Sequence, residues 1–150
     1  MTKKTLYAMA IICLSIPFIL SVTACDLSHK HYLDNYGYCR SCDQDMCIAL
    51  TKNSNSEYIA EINIDPYNET FLSFVSDGEQ GIEITVSNYG SGVVNSIILY
   101  SQDDDYIVSK YDTSNPVLTY SDRLTKNKKY YIKIKFTQVS QAKITIKSLV

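Results

Sequence analysis

The stretch YYIKIKFTQVSQAKITIKSLV, Tyr130 to Val150, decides the fold. In its first half Tyr130, Ile132, Ile134 and Phe136 alternate with Tyr131, Lys133 and Lys135. In its second half Ala142, Ile144 and Ile146 alternate with Lys143, Thr145 and Lys147. Successive side chains of a strand point to opposite faces, so each run carries one apolar and one polar face. That half-polar alternation belongs to antiparallel sheets that bury one side and wet the other. Working towards the N-terminus, the same signature recurs in YIVSKY, VVNSIILY, GIEITVS, TFLSFV and YIAEINI. In the last of these Tyr58, Ala60, Ile62 and Ile64 share a face; Ile82, Ile84 and Val86 do so in GIEITVS. NYGSG (Asn88–Gly92) reads as a turn, and Asp65-Pro66 ends a strand. Strands spaced about eight to fifteen residues apart predict an all-β, antiparallel sandwich of jelly-roll type over residues 57–150.

The N-terminus reads differently. Lys3 and Lys4 precede an uncharged run from Thr5 to Ala24, the layout of a secretory signal peptide over residues 1–24. The run is long enough to span a bilayer, but Pro17 interrupts it and the first charge beyond it is Asp26, not a basic stop-transfer cluster. Its end, LSVTAC (Leu20–Cys25), resembles the lipobox of bacterial lipoproteins, with Val22, Thr23 and Ala24 ahead of the cysteine. The resemblance implies cleavage before Cys25, a diacylglyceryl group on its sulfur and a further acyl chain such as palmitate on its new amino group. Several chains on one residue give stable anchoring where one gives marginal binding. Cleavage after Ala24 without lipidation is the alternative. Export to a bacterial membrane, on its periplasmic or cell-surface face, follows from the first reading.

Removing residues 1–24 takes away two of the 14 basic side chains and none of the 16 acidic ones. A mature chain of net negative charge has no basic footprint for nucleic acid. Its length suits one domain plus a short leader, here residues 25–56, of which Thr51–Glu57 reads as a polar linker.

The leader concentrates chemistry. HKHYLDNYGYCRSCDQDMC, His29 to Cys47, holds both histidines and three of the five cysteines. His29, His31, Cys39 and Cys42 form a Cys2His2 set suited to structural zinc, with Gly37 placed to turn the chain. The string resembles a small knuckle, H-x-H-x-(Y/F)-D-x-x-G-x-C-x-x-C, with Asp43 where glycine is common. The rival reading is a disulfide among Cys39, Cys42 and Cys47, as exported proteins meet oxidising conditions. Lipidation of Cys25 leaves three thiols, so one stays unpaired or binds metal. A short helix over Asp43–Leu50 is a further reading of this segment.

Outside the leader the candidates are sparser. Asp103, Asp104 and Asp105 offer oxygen ligands for calcium; no EF-like spacing accompanies them, so a solvated hairpin tip is the favoured reading. Thirteen tyrosines and no tryptophan suit β-strands, and Tyr131, opposite to Tyr130 in its strand, is the one expected to stand exposed for contact with a protein or glycan. From Ile48 onward the chain has no histidine and no cysteine, so nucleophile–imidazole chemistry would have to borrow from the leader. The expectation is a non-catalytic binding or adhesion module. Metal handling through the knuckle and a carbohydrate-active or inhibitor protein are the alternatives.

VVNSIILYSQDDDYIVSKY and LTKNKKYYIKIKFTQVSQAKITIKSLV together resemble the bacterial pre-peptidase C-terminal domain, whose strands follow disILYsxddxyI, xYYIxIxF and AxITI. The family usually has glycine before the aromatic pair; Lys128 and Lys129 stand there. The resemblance runs from about Glu57 to Val150. It implies a jelly-roll-like sandwich that binds calcium or extended polymers and does no chemistry.

Overall fold

The computed structural model describes residues 33–34, 36–41, 45–64, 69–102 and 107–149, apart from the side chains of 111–113. Along the described residues run β1 (Ile48–Ala49), β2 (Tyr58–Asn63), β3 (Glu69–Val75), β4 (Ile82–Ser87), β5 (Val93–Ser101), β6 (Val108–Thr113), β7 (Val117–Tyr120), β8 (Lys129–Thr137) and β9 (Gln141–Ser148). They form a five-stranded sheet ordered β1-β3-β8-β5-β6 and a four-stranded sheet ordered β2-β9-β4-β7. The chain changes sheet at every step except β5 to β6. All pairings are antiparallel but for β1 on β3.

The expected sandwich is the observed one. Register sets its core: Ile132 lies opposite Leu72 on one side and Leu99 on the other, and Ile134 opposite Ile97. In the facing sheet Ile146 meets Ile84 and Tyr58, while Ile144 meets Val86 and Ala60. These side chains are buried in one cluster with Ile82, Leu118 and Phe74, and each large one contributes about 1.5–3 kcal/mol by leaving water. Phe74 sits between two tyrosine rings, 5.0 Å from Tyr58 and 5.7 Å from Tyr130.

The five-stranded sheet is buried on its outer side too. Phe71, Ile98 and Tyr100 point away from the core, yet their exposures are only 3%, 7% and 7%. A strap formed by the described part of the leader lies over this face at Phe71 and Tyr100. Asp34 starts it by accepting hydrogen bonds from the backbone N–H of Tyr36 (2.8 Å) and Tyr38 (3.0 Å), an Asx-type turn. Gly37 follows at φ +82°, and a Cβ there would lie 2.6 Å from the Phe71 Cβ. The missing side chain lets the strap backbone lie against the sheet. Beside it the Tyr36 ring packs edge-on, 4.9 Å from Tyr131 and 6.2 Å from Tyr100. Cys39 is fully buried. Bridges Leu33–Cys39 and Tyr38–Asp45, with Met46 N–H on the Gly37 carbonyl at 2.9 Å, fold the strap on itself.

Three expectations change. The domain does not begin at Glu57, because β1 already pairs with β3, Leu50 N–H reaches the Ser73 carbonyl at 2.7 Å, and Leu50 is in the core. The described part of Asp43–Leu50 is extended and bridged, not helical, since β3 supplies a sheet edge for it to join. Tyr131 is half-buried beneath Tyr36 instead of standing free.

Candidate functional site

Most of the residues singled out in the sequence lie outside the described residues: the signal segment 1–24, Cys25, His29, His31, Cys42, and Asp103 to Asp105. Of the knuckle, Cys39 and Cys47 are described. Cys39 is a buried residue of the strap itself, and Cys47 carries a free thiol. Burial pushes the Cys47 thiol up; a hydrogen bond with Ser73 works against this and Asp45 adds to it. A thiol held protonated is a poor nucleophile, so Cys47 is not poised for exchange.

Where the strap joins the sandwich, an ionic clip closes it. Lys52 Nζ lies 2.6 Å from Asp77 Oδ2 and 2.8 Å from Glu79 Oε1. Glu79 is buried, and Ser76 donates its hydroxyl to Glu79 Oε2. Burial acts to raise the Glu79 pKa, but hydrogen bonds from Lys52 and Ser76 outweigh it and hold the carboxyl at about 2. The neighbouring Tyr58 phenol is pushed up to about 12, first by burial and then by the Glu79 charge, and it donates to the Val75 carbonyl at 2.7 Å. The charges of this cluster are paired with one another. It fastens the strap.

A site open to a ligand lies in a mouth of about 450 Å³, where the ends of β5 and β7 and the start of β8 part. Tyr120, at the end of β7, and Tyr130, at the start of β8, supply ring edges and hydroxyls; Asp122, Arg123, Thr125 and Lys128 line the rim. The loop between the two strands is held rather than loose. Leu124, 1% exposed, plugs into the core, its N–H bonds the Glu79 carbonyl at 2.9 Å, and Asn127 N–H bonds Ser76 at 2.7 Å. Thr125 N–H donates to the Tyr130 hydroxyl oxygen at 2.9 Å, leaving that hydroxyl's proton for another partner. The Tyr120 phenol is pushed up by burial, then by Asp122 and Tyr130, so it stays a neutral donor. Arg123 is exposed and makes no ion pair with a described residue.

A guanidinium with no ion-pair partner among the described residues, on the same opening as the Tyr120 and Tyr130 side chains, can take a carboxylate or other polar group from a partner. Sequence reasoning passed over these residues because SDRLTKNKK reads as a polar loop. Its lone leucine was the available signal, since an apolar residue inside such a loop pins it to a core.

No protein-family model matches the chain, and no curated protein matches it by sequence. Among solved structures it is similar to PliG of Aeromonas hydrophila, a periplasmic inhibitor of g-type lysozyme, at 8% identity over 67% of this chain and 94% of that one, with a TM-score of 0.48. It is also similar to the pre-peptidase C-terminal domain of a collagenase from Bacillus anthracis, at 15% identity over 67% and 91%, with a TM-score of 0.42. At this distance the likeness says nothing of ligand or partner.

Proposed function

We propose that the chain is an exported lipoprotein, anchored through acylated Cys25, whose β-sandwich binds a partner at the cell envelope and performs no chemistry. The mouth carries this reading: a pinned loop brings Arg123, which has no ion-pair partner among the described residues, to the opening lined by Tyr120 and Tyr130. A preorganised loop loses little freedom on binding, which favours recognition. The lack of histidine and cysteine from Ile48 onward adds weight against nucleophilic catalysis.

A photo-crosslinking amino acid at Thr125, in cells that make the protein naturally, tests it. The expected result is a discrete higher-mass adduct that is lost when Arg123→Glu is added. The same probe at Thr119, an exposed position on β7, gives none. Equal labelling from both positions, or no adduct from either, would contradict a partner at the mouth.

A further inference from the structure

The opposite end of the sandwich holds a second cleft with different chemistry. Ile82 pairs with Tyr120 and Ser148 at the mouth, so Ser87, Gln141 and Asn63 mark the far end of the four-stranded sheet. There a groove of about 390 Å³ is lined by Glu61, Asn63, Asn88, Gln141 and Lys143. Packing brings them together. A Cβ on Gly92 would fall 2.4 Å from Val139 Cγ2, so the turn after β4 closes onto the turn after β8. Asn88 holds φ +56°, a conformation asparagine tolerates better than most residues. It therefore sits at the groove beside Gln141, the first residue of β9.

Several polar groups on this outer face have partners within the protein. Glu57 pairs with Lys147 at 3.2 Å, Thr85 Oγ1 reaches Glu83 at 3.5 Å, and Ser87 Oγ reaches the Lys143 carbonyl at 3.4 Å. In the groove others do not. Asn63, Asn88 and Gln141 carry primary amides with no hydrogen-bond partner in the described protein. Glu61 and Lys143 lie opposite each other across the strands without closing an ion pair. Each amide offers donors and an acceptor side by side, which matches a sugar hydroxyl that both donates and accepts. One carboxylate and one ammonium leave the groove neutral, which disfavours a charged ligand.

We infer that this groove is a binding subsite for a neutral, hydroxyl-rich ligand, a glycan chain, taken up by the three amides with Glu61 and Lys143. It lies at the far end from the mouth, and the two assignments stand or fall separately. Among the described lining residues there is no aromatic ring, so their polar groups alone bind weakly at one site, and binding gains strength when anchored copies act together on one polymer.

The test is nuclear magnetic resonance of the nitrogen-labelled mature protein as isolated, titrated with cellotetraose, with an N-acetylglucosamine tetramer and with an acidic dipeptide. Saturable shifts of the side-chain amides of Asn63, Asn88 and Gln141 with at least one sugar, and not with the dipeptide, are expected. Asn88→Gly keeps the backbone conformation while removing an amide, and should weaken the sugar affinity about tenfold. Unmoved amide signals with both sugars, shifts confined to residues outside the groove, or a response to the dipeptide alone would overturn the inference. So would an unchanged affinity in Asn88→Gly.

Discussion

Gly37→Val is expected to peel the strap from the sandwich and to lower stability by about 2–3 kcal/mol. Two costs combine at that position. A β-branched residue at φ +82° is held in a region that L side chains rarely adopt, a penalty of about 1–3 kcal/mol. Its Cβ would also lie 2.6 Å from Phe71 Cβ and 2.8 Å from Cγ, atoms close to the strand backbone that have little room to yield. The strap would give way before the sheet does, because β3 is paired with β8 from Glu69 to Val75 and with β1 at Leu72 and Ser73. Phe71 and Tyr100 would then face water. Denaturant unfolding and the fluorescence of a hydrophobic dye read the two effects: the midpoint should fall and the dye signal should rise under native conditions. An unchanged midpoint with no added dye binding would mean that the strap does not shield that face.

Acidification is expected to loosen the same region through Glu79. Its carboxyl is held at about 2 in the folded protein, against an ordinary value of 4.5. The folded state therefore binds fewer protons than the unfolded state between these limits, and stability falls as pH drops. The contribution is complete above about pH 4.5 and is lost progressively towards pH 2. Glu79→Gln should cost about 2 kcal/mol at neutral pH, the scale of hydrogen bonds to a charged group, and should flatten the pH dependence in that window. Lys52 keeps Asp77 at 2.6 Å, so the loss is partial and the fold survives. Unfolding midpoints for both proteins from pH 2 to pH 7 provide the check. Parallel pH curves would show that another carboxylate is responsible.

The sandwich was legible because period-two alternation is a local signal. Lys133 and Lys135 flag one face of β8 as surely as Ile132 and Ile134 flag the other. The strap was not legible, because its position depends on a surface built by distant residues. Nothing in GYC says that Gly37 will meet Phe71, thirty-four residues on. A polar outer face was the natural expectation for Ser96, Ile98 and Tyr100, yet the covered sheet hides all three. Tyr131 misled for the same reason: its strand faced outwards as read, but another tyrosine was waiting there. The mouth and the groove gather strand-end and turn residues from several elements, and such juxtapositions arise only once register is fixed. By contrast, the lipobox reading rests on a linear pattern and needs no fold.

The anchored state is tested most directly by the intact mass of the protein taken from membranes of cells that make it naturally. The expected species begins at Cys25 and carries the added mass of a diacylglyceryl group and an amide-linked acyl chain. A chain beginning at Cys25 or Asp26 without acyl mass, or one retaining residues 1–24, would contradict the proposal that this sandwich works as a lipid-anchored binding module.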